Sequence, residues 1–145
     1  MKIHMYITLL LFFLIASPAF SFKWYKLNYL CTNDTSFYLD HQNMQVRLRF
    51  ELPYEIKFWL LTISNVENKK SVIPVKNLQH YQIECPSSTL SLLEYRLYEE
   101  DRLTESRKYS DSNLIIVPPD TPVQQIIINL CTPSNSDWFY GFRTD

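Results

Sequence analysis

The side chains in this chain that are best able to do chemistry are its cysteines and histidines. The candidates are Cys31, Cys85, Cys131, His41 and His80. A cysteine beside a histidine could supply the nucleophile and base of a hydrolase, and histidines near Asp40 could ligate a metal ion. No flanking motif and no metal-ligand spacing supports either site. We therefore predict no catalytic residue, no metal and no cofactor, and a small hydrolase is our third choice of function.

The cysteines predict one disulfide bond. Each cysteine ends an apolar run one step before a turn, in "NYLCTND", "QIECPSS" and "INLCTPS". In an exported protein two of the three would pair, and the sequence leaves all three pairings open. We predict Cys31–Cys131, because the first and last strands of a small sandwich often lie close together. Cys85 would then be a buried free thiol, or would join two chains in a disulfide-linked dimer.

Aromatic residues make up 15% of the chain and are dense near both ends of the predicted domain. "FKWYKLNYL" lies near its start and "DWFYGF" near its end. These aromatics could pack into the core, or they could form an exposed patch that binds a protein or a glycan, since Tyr and Trp are enriched at interfaces. The candidate patch residues are Trp24, Tyr25, Trp138, Phe139, Tyr140 and Phe142.

Glycine content and charge exclude several classes of protein. The chain has a single glycine, Gly141, so it has no glycine-rich phosphate loop, no G-x-S-x-G motif and no EF-hand loop. Without Lys2 there are 13 basic residues against 15 acidic ones, a net charge of −2. A nucleic-acid partner is not expected, because its phosphates require a basic face.

The N-terminal stretch "MKIHMYITLLLFFLIASPAFS" has the pattern of a secretory signal peptide. Lys2 precedes an apolar run over 5–16, and small residues allow cleavage after Ala19 or after Ser21. An uncleaved anchor is the alternative, although the run is short for a span of about 20 residues. We predict a signal peptide over 1–21, a domain over 22–145, and a secreted or periplasmic protein that meets the membrane only through this segment.

Period-two alternation predicts strands. "NMQVRLRFEL" puts Met44, Val46, Leu48, Phe50 and Leu52 on one face. "EIKFWLLTIS" follows after a short break, with apolar residues on both faces, and Pro74 assigns "SVIPV" to an edge position.

Two later segments complete the strand assignment. "QIIINLC" is predicted as a last strand, with Ile126, Ile128 and Leu130 pointing inward. For 88–108 either a hairpin or a helix is possible, and we favour strands over 90–99 and 105–110.

Together these features predict an all-β domain, an antiparallel β-sandwich of seven to nine strands, immunoglobulin-like or barrel-like. The predicted function is a non-enzymatic binding or interaction module that uses the aromatic patch. The alternative is a β-barrel carrier for a small apolar ligand, in which residues such as Trp59 and Tyr95 would line a cavity.

Overall fold

A computed structural model describes residues 21–68, 71–110 and 113–132, and these form one antiparallel sheet of seven strands with a helix on one face. The strands are β1 (Trp24–Lys26), β2 (Thr35–Arg49), β3 (Leu52–Asn68), β4 (Ser71–Glu84), β5 (Thr89–Glu99), β6 (Arg102–Lys108) and β7 (Leu114–Ile115). Strands β1 to β6 pair in sequence order, and β7 pairs with β5. The all-β prediction is confirmed, whereas most of the predicted signal peptide lies outside the described residues.

The predicted hairpin over 90–110 is confirmed, with β5 and β6 joined at Glu100 and Asp101. The run "NMQVRLRFEL" differs from the prediction, because it bends back at Phe50 and Glu51 instead of continuing as one strand. All four of these turn residues have positive φ, between 50° and 66°. Two positive-φ residues in succession are the signature of the type I′ turn, which suits the twist of antiparallel strands. Non-glycine residues make these turns at a cost of about 1 kcal/mol each.

Pro74 lies in a part of β4 that is an edge of the sheet, as the sequence predicts. β4 pairs with β3 over its whole length, but its pairing with β5 begins only at Val75. Pro74 therefore has a strand on one side only, which is compatible with its missing amide hydrogen.

The segment "QIIINLC" is a helix and not the predicted last strand. Helix α1 spans Pro122–Cys131 and begins after Thr121, whose hydroxyl accepts a hydrogen bond from the Gln124 amide at 3.3 Å. Pro122 at the first helical position suits this start, since its fixed φ is helical and no amide hydrogen is needed there. The apolar run fills a helical stripe, with Ile126, Ile127 and Leu130 buried.

The two faces of the sheet differ. Residues paired across antiparallel strands point to the same face. One face, the core face, carries Leu39, Leu60, Phe58 and Tyr81 and packs against α1. The buried cluster here contains Leu27, Leu39, Ile56, Phe58, Leu60, Tyr81, Ile83, Leu90, Leu92, Ile126, Ile127 and Leu130. The opposite face carries Trp59 and His80, and we call it the open face because α1, the one α-helix of the described residues, lies on the core face.

The disulfide prediction is wrong in its pairing. Cys85, just after β4, is bonded to Cys131 at the end of α1, with Cα atoms 5.4 Å apart. The prediction assumed that Cys131 ends a strand, whereas it ends a helix that brings it to the end of β4. Cys31 is free, follows a 3-10 turn at Asn28–Leu30, and donates its thiol hydrogen to the Leu27 carbonyl at 3.3 Å. The prediction that Cys85 is a free or intermolecular thiol is therefore also wrong. A disulfide-linked dimer would have to use Cys31, and it remains a prediction.

Candidate binding surface on the open face

The structure separates the two predicted patch residues that it describes. Trp24 pairs with Asp40 and lies on the open face, whereas Tyr25 pairs with Leu39 and lies on the other. Adjacent residues of a strand point to opposite faces, so one flat surface cannot include both. The other predicted members, Trp138, Phe139, Tyr140 and Phe142, lie outside the described residues.

Trp24 belongs to a group of stacked rings that we call the aromatic cluster, formed by Phe22, Trp24, Trp59 and His80. Phe22 stacks on Trp24 with ring centroids 5.2 Å apart and meets Trp59 edge-on at 6.0 Å. His80 stacks on the other side of this group, against Trp59, at 4.4 Å. Such ring pairs contribute about 0.5–1.5 kcal/mol beyond the area that they bury.

Strand register is what brings the cluster together. One row of paired positions crosses the whole open face from β1 to β6: Trp24, Asp40, Trp59, His80, Glu94 and Lys108. Directly opposed side chains in antiparallel strands have Cβ atoms about 5 Å apart, close enough for rings to stack. Residues from six separate strands thus share one surface.

Asp40 holds the β1 side of this row in place. Its carboxylate is buried and accepts hydrogen bonds from the backbone amides of Lys23 (3.1 Å) and Gln42 (3.0 Å) and from the Asn43 side chain (2.5 Å). The register between β2 and β3 shifts directly after Asp40. The carboxylate therefore satisfies the donors of an irregular stretch of β2 and ties the N-terminal segment, with Phe22 and Trp24, to the sheet.

Arg96 and Glu94 support the β5 side. One oxygen of the Glu94 carboxylate accepts hydrogen bonds from Arg96 Nε (2.6 Å) and Nη2 (2.5 Å). Glu94 is only 8% exposed, so Arg96 supplies its carboxylate with a partner away from solvent. The guanidinium carbon lies 5.5 Å from the centroid of the Trp59 ring, within range of a cation–π interaction. Arg96 therefore joins the aromatic cluster to a buried carboxylate.

His80 is held in its neutral form by its surroundings. Burial lowers its pKa, Glu94 opposes this effect, and Lys57 adds to it. A neutral imidazole stacked on an indole forms part of a continuous apolar surface. At neutral pH the aromatic cluster is therefore uncharged, apart from the Arg96 guanidinium that lies over it.

The chemistry considered for the histidines finds no geometric support. Among residues 21–68, 71–110 and 113–132, no group of three or more His, Cys, Asp and Glu side chains could hold a metal ion. The cysteines lie away from His80, in the disulfide and in the loop after the 3-10 turn. The backbone amide of His41 donates a hydrogen bond to the Lys23 carbonyl at 3.3 Å, in the same irregular stretch of β2 as Asp40.

A small hollow lies on the other side of the molecule. It is lined by Leu27, Tyr29, Leu39, Ile126, Asn129 and Leu130. None of its lining residues belongs to the aromatic cluster. The carrier alternative, which requires a cavity lined by Trp59 and Tyr95, remains a prediction.

Comparison of the chain with protein-family models, with curated proteins and with solved structures found no match. In the part of the chain that the structure describes, no helix is long and apolar enough to cross a membrane. The function must therefore be inferred from the open face itself.

Proposed function

We propose that this protein is a non-enzymatic binding module whose open face, centred on Trp59, docks on a protein partner. The observation that carries this proposal is the row of paired residues that places Trp24, Trp59 and His80 on one face, with Arg96 over Trp59. Phe22 contacts both tryptophan rings. Trp and Arg are the residues most enriched at the energetic centres of protein interfaces. A cluster that is already ordered loses little conformational entropy on binding.

The environment of the cluster supports a protein partner over the other ligand classes. Asp40 and Glu94 are both buried and hydrogen-bonded, so neither presents a free negative charge. Trp24 stacks on Phe22 and Trp59 stacks on His80, so each indole already has one face covered, whereas a glycan stacks on an open ring face. The polar positions of the row, such as Lys108, would form the rim that surrounds a desolvated centre.

We also propose that the protein acts outside the reducing cytosol. The Cys85–Cys131 disulfide fits an extracellular or periplasmic protein. The N-terminal pattern of a signal peptide supports the same compartment.

Photocrosslinking from two adjacent positions tests the binding proposal. A benzophenone amino acid is introduced in place of Trp24 in one variant and in place of Tyr25 in the other, and both are expressed in the native host. The two sites share a strand but point to opposite faces, so each is the matched control for the other. We expect a defined protein adduct from position 24 only. Equal adducts from both positions, or none from position 24, would contradict the proposal.

A further inference from the structure

The turn between β2 and β3 projects beyond the rest of the sheet. β4 begins to pair with β3 at Glu55, so Leu52 and Pro53 pair only with β2. Phe50, at the tip of this projection, is 88% exposed, and Leu48 and Leu52 beside it are each about half exposed. Three apolar side chains thus point to solvent at the end of a two-stranded arm.

Turn geometry does not explain why a phenylalanine is at the tip. Phe50 has φ of 51°, in a type I′ turn that favours Asn, Asp or Gly. The equivalent turn between β5 and β6 is made from Glu100 and Asp101, as expected for a surface turn. Phe50 is therefore unfavourable in two ways, because its backbone is strained and its apolar ring is exposed to water. Outliers of this kind concentrate at functional positions.

A second exposed apolar segment lies near the same end of the sheet. β7 pairs with Leu90 and Ser91 at the start of β5, next to the row that contains Glu55. In this segment Leu114 is 65% exposed and Ile116 is 93% exposed. We call these side chains the apolar rim: Leu48, Phe50, Leu52, Leu114 and Ile116.

Arginines accompany the tip of the arm. The guanidinium carbon of Arg49 lies 5.7 Å from the Phe50 ring centroid and 5.8 Å from that of Tyr54. Arg47 lies two residues further from the tip along β2. It is exposed, and its Nη1 lies 3.5 Å from Glu55 Oε2. At the tip, Phe50 comes first, Arg49 lies level with Leu52 directly behind it, and Leu48 follows one pair further back. An apolar ring with a guanidinium directly behind it matches the order of layers in a bilayer, where the acyl boundary lies below anionic phosphates.

We propose that the apolar rim docks on a lipid bilayer surface, with Phe50 inserted at the acyl boundary and Arg49 at the phosphates. Exposed apolar side chains on two separate segments near one end of the sheet suit a flat, deformable surface better than a single pocket in a protein. Glu51, the other residue of the turn, would remain in the headgroup layer. This contact is separate from the N-terminal apolar segment and from the open face.

The test is co-sedimentation of the full-length chain with vesicles of phosphatidylcholine, with and without phosphatidylglycerol. Phe50→Asn should weaken partitioning by about tenfold, the loss expected from withholding one large apolar side chain. Asn is favoured at positive φ, so this variant should keep its fold. Leu103→Asn, at a half-exposed position near the opposite end of the sheet, is the matched control and should bind like wild type.

Hydrogen exchange on the same samples locates the contact. All variants keep residues 5–16, so any binding by that segment is common to them. We expect vesicles to protect the amides of 48–52 in wild type but not in Phe50→Asn, and phosphatidylglycerol to increase the protection. Amides over 48–52 that vesicles leave unprotected in wild type, or protect equally in Phe50→Asn, would overturn the proposal whatever the apolar segment over 5–16 binds.

Discussion

The imidazole of His80 lies flat against the indole of Trp59, with ring centroids 4.4 Å apart and planes 7° from parallel. The two residues are direct cross-strand partners on β3 and β4. Phe22 approaches the edge of the same indole, and the Arg96 guanidinium lies over it. Trp59 is therefore the residue on which the order of the open face depends.

The stack makes stability depend on pH. Burial lowers the pKa of His80, with Glu94 opposing and Lys57 adding to the effect. The unfolded chain then takes up a proton near pH 6.5, before the folded chain does. The contribution of neutral His80 is fully present above about pH 6.5 and is lost as the pH falls through the folded-state value. We expect His80→Gln to flatten this part of a plot of unfolding free energy against pH.

His80→Phe is the control for that measurement, because it keeps an aromatic ring but cannot titrate. Both variants should lose the acid-dependent step, and only His80→Gln should also lose the stacking energy of about 1 kcal/mol at neutral pH. An unchanged step in either variant would show that another group titrates.

Removing one partner of the ion pair between Glu94 and Arg96 is expected to lower the free energy of unfolding more than removing both. Arg96→Leu leaves the Glu94 carboxylate buried without its donor and should cost about 2 kcal/mol. The double variant with Glu94→Leu should recover most of that loss, since both charges are then removed. Urea denaturation of the two single variants and the double variant measures the coupling. Additive effects would mean that solvent already satisfies the carboxylate.

Helix α1 buries one of two neighbouring isoleucines and exposes the other. Ile127 is 6% exposed and Ile128 is 48% exposed, whereas a strand would bury Ile128 and expose Ile127. Ile127→Ala should therefore cost about 2–4 kcal/mol in unfolding free energy, and Ile128→Ala less than about 1 kcal/mol. The reverse order would indicate the strand that the alternating pattern predicts.

The disulfide should be recovered by peptide mapping without reductant as a Cys85–Cys131 pair, with Cys31 available to an alkylating reagent. The bond closes a 46-residue separation, so replacing both cysteines by alanine should lower stability by about 4 kcal/mol in the loop-closure account. Cys31→Ser should have a much smaller effect. Recovery of Cys31 in a bridged peptide would contradict the pairing.

A strand could be predicted from the sequence where one of its faces is exposed to solvent and the other is buried. The run from Met44 to Arg49 in β2 alternates clearly, whereas the β5–β6 segment fits both periods in sequence, because three successive residues of β5, Leu90–Leu92, are buried. α1 could not be recognised by alternation, since "IIINL" fits both periods. The signal that identifies it is the start, where Thr121, Pro122 and Gln124 form a helix cap.

The aromatic cluster could not be predicted from the sequence, for a different reason. Trp59 and His80 are 21 positions apart, and their contact depends on the register of two long strands. Trp24 reaches the same row only because β1 pairs with β2 at Asp40. Composition indicated that aromatics matter at the N-terminal end, but the pairing that selects Trp24 and not Tyr25 is a property of the assembled sheet.

The order of strands has a consequence for how the chain acquires its fold. Strands β1 to β6 each pair with a sequence neighbour, so the sheet can assemble as a series of local hairpins while later residues are still emerging. Until α1 arrives, Ile56, Phe58 and Ile83 have no cover from it. The apolar core face of the sheet is therefore completed by the last described segment to be synthesised, and the Cys85–Cys131 disulfide links that segment covalently to the end of β4.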